Sequence, residues 1–164
     1  MTPAIDAPPR GRVPAGGELA FHRPATLQRT YPATSQAPDA ACESVEFLAQ
    51  VLEPQVLAVL LLLVRELVTN AVEHGKPSES LQVTLRLLIL PKTIAALVED
   101  DGPGFAGPPR VPHEDAVHGW GLHLVGELAD RFGVRTTPRT SVWFELERRP
   151  SRGGSSRSNG AKRS

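Results

Sequence analysis

Between Pro54 and Gly75 the chain runs without a helix breaker, and no other segment constrains the fold as much. At 100° per residue, Leu57, Leu60, Val64, Leu67, Val68 and Ala71 share one broad apolar side. Proline opens the segment, and Gly75 followed by Pro77 closes it, which predicts a helix from Pro54 to about His74. A helix this long with one apolar side must lie on a second apolar layer. The residues that follow supply one. Leu81–Leu90 and Thr93–Glu99 are aliphatic or β-branched runs, and Pro91-Lys92 between them reads as a tight hairpin. Thr26–Tyr31 alternates weakly, as a first strand would. Pro38-Asp39 opens a helix with Val45, Leu48 and Ala49 on its apolar side. A loop rich in Gly and Pro fills 102–118, a third helix is expected over 121–131, and strands over 133–137 and 141–147 flank Pro138-Arg139. The fold class expected is α+β, a two-layer sandwich of a mostly antiparallel sheet with helices on one face.

At 164 residues one domain is expected, over 26–148. Residues 1–25 read as a disordered leader. Residues 149–164 read as a disordered basic tail, because almost nothing there is apolar. The hydrophobic fraction is 40% and the aromatic fraction only 5%, so aliphatic packing must carry the core. The formal net charge is zero, which argues against direct binding of nucleic acid. The single cysteine, Cys42, excludes an internal disulfide framework and a multi-cysteine zinc site. No secretory signal is visible, and the longest apolar run, Val56–Val64, is far short of a membrane span. These features predict a cytoplasmic protein that does not enter a membrane.

Three short motifs carry the chemistry. The first is Glu66-Leu-Val-Thr-Asn70 on the long helix. Glu66 and Asn70 are four apart, so their side chains lie one above the other. Asn lowers helix stability relative to Ala, and a site role would explain its choice. Its amide oxygen can ligate Mg²⁺, and Glu66 can act as a general base. Taken alone, the pair is also what a solvated helix face presents. The second motif is Asp100-Asp-Gly102-Pro-Gly104, at the end of a strand. Asp100 can accept a hydrogen bond from the exocyclic amine of adenine, which the carbonyl of guanine would oppose. Gly102 and Gly104 would let the backbone pass close to the ring. Taken alone, this is also an ordinary Asp-Gly turn. The third motif is Gly119-Trp-Gly121-Leu122, where glycines open a helix whose free N–H groups attract phosphate. A flexible hinge is the plain alternative. The loop from Phe105 to His118 would then be a lid, with Arg110, His113 and His118 as polar contacts.

Two other nucleotide motifs fail on context. Gly102–Gly107 matches GxGxxG after a strand, but Pro108, Pro109 and Pro112 forbid the helix that a dinucleotide site needs. No GxxxxGK[ST] sequence is present.

The three motifs, in this order on this layout, resemble the GHKL ATPase superfamily, whose members share the Bergerat ATP-binding fold. Within it the chain is most similar to the anti-sigma-factor serine/threonine kinases of the RsbW and SpoIIAB type. The resemblance rests on Glu-Leu-Val-Thr-Asn-Ala-Val-Glu-His-Gly at 66–75, Val-Glu-Asp-Asp-Gly-Pro-Gly-Phe at 98–105 and Gly-Trp-Gly-Leu-His-Leu-Val at 119–125. Ser141-Val-Trp-Phe-Glu-Leu146 adds a similar last strand. The resemblance implies ATP and Mg²⁺ as cofactors, Glu66 as catalytic base and Asn70 as the Mg²⁺ ligand. It implies Asp100 as the adenine-reading carboxylate, Gly102 and Gly104 as the first glycine box, and Gly119 and Gly121 with Leu122 as the second. Ser141 would stand in for a threonine that helps hold adenine. Departures from the family pattern are Arg139, where a glycine is usual, and Arg65 with the leucine-rich stretch Leu60–Leu63, where a more polar helix is common.

The implied activity is phosphorylation of an anti-sigma-factor antagonist by a protein that also binds a sigma factor and commonly forms a homodimer. The alternative is an ATP-binding regulatory module with little or no transfer activity. A histidine kinase catalytic domain would need a phosphoacceptor histidine on a helix pair upstream. His22 lies in a proline-rich leader with no helical setting.

Overall fold

A computed structural model describes residues 26–74, 78–101, 120–135 and 139–148. Its elements in chain order are β1 (Leu27–Ala33), α1 (Ala37–Val45), a short 3-10 helix (Glu46–Gln50), α2 (Pro54–His74), β2 (Ser78–Ile89), β3 (Thr93–Asp100), α3 (Trp120–Leu128), β4 (Arg131–Arg135) and β5 (Thr140–Glu147). The strands form one sheet in the order β1-β2-β3-β5-β4, and every neighbouring pair is antiparallel. The α+β class expected from the sequence is what the chain adopts. The leader at 1–25 and the basic tail at 149–164 lie outside the described residues.

The core lies on one face of the sheet. Val83, Leu85 and Leu87 of β2, Ile94, Ala96 and Val98 of β3, and Val142, Phe144 and Leu146 of β5 alternate along their strands and point the same way. Against them α2 sets Leu60, Leu63, Val64, Leu67, Val68 and Ala71. Fully burying each such aliphatic side chain stabilises the fold by about 1.5–3 kcal/mol, so this seam holds the two layers together. By length and composition α2 is long and apolar enough to cross a bilayer, more than its uninterrupted Val56–Val64 run suggested. Its buried side chains pack into this core.

Smaller features fix the edges. Pro32 sits on the edge strand β1, where a missing N–H is tolerated, next to a register shift at Pro32/Ala33. The Tyr31 hydroxyl donates to Ser44 Oγ at 2.7 Å and ties β1 to α1. Leu90 N–H donates to Thr93 O at 2.8 Å across the hairpin at Pro91-Lys92. Cys42 is a buried free thiol whose Sγ donates to Leu61 O at 3.6 Å. Burial raises its pKa, and the Arg65 guanidinium partly opposes that shift.

The third helix is shorter than its pattern predicts. It ends at Leu128 because the sheet captures the residues after it. Asp130 N–H donates to Glu145 O at 3.0 Å, and Glu147 N–H donates to the Asp130 carboxylate at 2.7 Å. Arg131 Nε donates to the Glu145 carboxylate at 2.7 Å, so β4 starts at Arg131, two residues before the expected strand.

On the face away from the helices, the Trp143 indole lies over Gly133. A Cβ added at Gly133 would sit 2.7 Å from Trp143 Nε1. Gly133→Ala must therefore displace a buried indole, and overpacking of this kind costs about 1–3 kcal/mol. Denaturant unfolding should show that loss in the midpoint, with an unchanged slope.

Candidate functional site

Chain connectivity brings three buried polar side chains to one end of the molecule. β2 begins at Ser78, four residues after α2 ends at His74. At no more than about 3.6 Å per residue, α2 must end close to the start of β2. Five residues further along β2 Val83 faces Asp100, and Asp100 in turn faces Thr140 across β3 and β5. The C-terminal turns of α2, the end of β3 and the start of β5 therefore lie toward the same end of the sandwich.

Strand parity then decides what faces inward. Asp100 shares its face with Ile94, Ala96 and Val98, and Thr140 shares its face with Val142, Phe144 and Leu146. Both point into the layer that α2 covers. Asn70 lies on α2 one turn before its end. Asn70, Asp100 and Thr140 are 9%, 7% and 2% exposed, among residues that are otherwise apolar. Glu66, one turn earlier on α2, is half-buried.

Two of these groups have no answer among the described residues. Asn70 Nδ2 and Thr140 Oγ1 are buried without a hydrogen-bond partner. An unsatisfied buried polar group costs about 1–3 kcal/mol, so two of them at one end of one layer point to a ligand that completes them. The other two polar residues in the buried set, Ser141 and Glu145, lie on the opposite face of β5, where Arg131 partners Glu145.

That parity corrects one expected residue. Ser141 faces Glu99, on the outer side of the sheet, so it is not the hydroxyl beside Asp100. Thr140 is. The signal was present in the sequence, because Thr140 lies two residues before Val142 in the same alternation as Phe144 and Leu146.

The glycine motifs are only partly in view. Gly102, Gly104, Gly119 and the expected lid from Phe105 to His118, with Arg110, His113 and His118, lie outside the described residues. Gly121 and Leu122 fall in the first turn of α3. α3 ends two residues before β4 begins beside Glu145, and Gly126 lies against Phe132, its added Cβ 3.3 Å from the ring. α3 thus folds back along β4, and its N-terminal turn is aimed toward the end that holds Asp100 and Thr140.

A buried amide, a buried carboxylate and a buried hydroxyl toward one end of the helix–sheet layer, with a second helix start directed at them, are the donor and acceptor set that a nucleotide uses. The sequence matches the family model of the histidine kinase-like ATPase domain over residues 31–146. The chain belongs to that family, within the GHKL-type ATPases, and it binds ATP. A search of the curated proteins finds no match.

The two hydroxyls can be told apart by experiment. Thr140→Val should weaken ATP binding about 3- to 10-fold, the worth of one neutral hydrogen bond, while Ser141→Ala should leave it unchanged. Isothermal titration with ATP measures both. Loss in Ser141→Ala with none in Thr140→Val would reverse the assignment.

Proposed function

We propose that this chain is a Mg²⁺-dependent protein serine/threonine kinase of the anti-sigma-factor type. It would act in the cytoplasm, phosphorylate an anti-sigma-factor antagonist and so regulate transcription through a sigma factor. The observation that carries the reading is the helix pair Glu66 and Asn70: a half-buried carboxylate one turn from a buried amide with an unanswered nitrogen, at the end of the fold that holds Asp100.

These residues fit a metal-bound nucleotide. Among the described residues no group of three His, Cys, Asp or Glu side chains could cage a metal. A Mg²⁺ ion at Asn70 would take one amide oxygen and complete its shell with phosphates and water, as that ion commonly does. When bound, it would neutralise charge on the transferring phosphoryl group. The unanswered Asn70 Nδ2 would donate to a phosphate oxygen. Asp100 would accept from the exocyclic amine of adenine, and the Thr140 hydroxyl would hold the same edge of the base.

Glu66 is the base in this scheme. Its carboxylate accepts the proton of a partner serine hydroxyl as that oxygen bonds to the γ-phosphorus. The bond from that phosphorus to the bridging oxygen breaks, and ADP leaves with its electron pair. A carboxylate on a packed helix suits this role, because its backbone is held by the core while its side chain reaches the cleft.

The test is transfer of label from ATP to a small antagonist protein encoded near this chain. Glu66→Ala should lower phosphorylation of the antagonist by about 10²- to 10⁴-fold with little change in ATP affinity. Asn70→Ala should make ATP affinity insensitive to Mg²⁺. Tight ATP binding with no label on the antagonist would instead identify a nucleotide-dependent binding module.

A further inference from the structure

The β3–β5 ladder ends at Asp100 opposite Thr140, and one step further out a second pair of side chains meets. Arg139 Nη1 lies 2.9 Å from Asp101 Oδ1. Asp101 follows Asp100 and Arg139 precedes Thr140, so the ion pair continues the register past the last ladder pair. The Asp101 N–H also donates to Gln82 O at 3.3 Å, which ties the same chain end to β2.

We propose that the Arg139–Asp101 ion pair is a positioning latch for base selection, holding Asp100 and Thr140 at the spacing that reads adenine. The proposal rests on the assignment of Asp100 to the exocyclic amine of the base. Strand ends fray where no further pair closes them. Here the two residues proposed to read the base are the last pair of the ladder. Facing side chains in such a pair sit about 4.5–5.5 Å apart only while the strands stay together. The ion pair fastens the ends one residue beyond the two proposed to read the base. Its two side chains engage each other, so it acts on the base through the backbone of Asp100 and Thr140.

Its strength sets the size of the effect. The side chains are 66% and 37% exposed, so water and salt screen the attraction. Opening the latch should therefore change affinity by a few-fold rather than abolish it. The change should fall on the part of binding energy that comes from the amine. ITP carries a carbonyl in place of that amine, which Asp100 opposes, so opening the latch should not weaken its binding.

The experiment uses the full chain and isothermal titration with ATP and ITP at low and high salt, with Asp100→Asn as the reference. Arg139→Ala and Asp101→Asn should each weaken ATP binding about 2- to 5-fold at low salt and leave ITP unchanged or slightly tighter, so that the ATP/ITP ratio contracts. The charge swap, Arg139→Asp with Asp101→Arg, should restore the ratio. At high salt the wild-type ratio should approach that of the single variants. Equal losses for ATP and ITP would reveal a general stability effect and overturn the proposal, as would a swap that restores nothing. If Asp100→Asn contracts the ratio and Arg139→Ala does not, the latch alone is wrong. If Asp100→Asn also leaves the ratio intact, the base assignment fails and the latch with it.

Discussion

The pairing of β3 with β5 is the constraint on which the site depends. Eight consecutive residue pairs, from Thr93 with Glu147 to Asp100 with Thr140, set two central strands against each other without a bulge. A slip of one residue would turn Asp100 away from the helices and bring Glu99 in, since the side-chain period of a strand is two. The register is held by what lies further along the same strands. Ile94, Ala96 and Val98 on one, and Val142, Phe144 and Leu146 on the other, are buried in the core they share with α2 and cannot change face without emptying it. The polar end of the ladder is thus positioned by its apolar body.

The long helix plays the matching part from the other layer. Its leucine-rich body supplies the burial, and its last turns carry the polar groups. Asn70 costs helix propensity and, among the described residues, leaves a buried donor unanswered, and Thr140 leaves a hydroxyl in the same state. A domain stable by about 5–15 kcal/mol gives up a large share of that margin at one end. The aliphatic seam between Leu60 and Ala71 offsets the loss. Packing and site therefore divide along the axis of a single helix.

Much of this was legible in the sequence, and the exceptions have physical causes. α2 spans Pro54–His74 as its breakers predict, because proline and glycine act locally and need no tertiary help. The hairpin at Pro91-Lys92 is where the turn residues put it. Asn70 and Asp100, four residues before a helix end and at the last position of a strand, are candidates by spacing and motif order together, and both are buried. The hydroxyl beside Asp100 could not be named from residue type. Thr140 and Ser141 are chemically alike and adjacent, and what separates the inward one is its place in the alternation with Val142, Phe144 and Leu146, which the register with β3 fixes. The end of α3 was also out of reach. Its helical pattern continues to Arg131, but the long-range bonds of Asp130 and Arg131 to β5 withdraw those residues into the sheet.

The central claim is that Asn70, Asp100 and Thr140 line one cavity that a nucleotide fills. The most direct measurement is a titration of the ¹⁵N-labelled chain with ADP, following the side-chain amide of Asn70 and the backbone amides of Asp100 and Thr140. The account requires all three to shift along a single saturation curve, with Trp143 and Glu145 on the outer face little affected. Shifts confined to the outer face, or three resonances that do not move at saturating ADP, would contradict it.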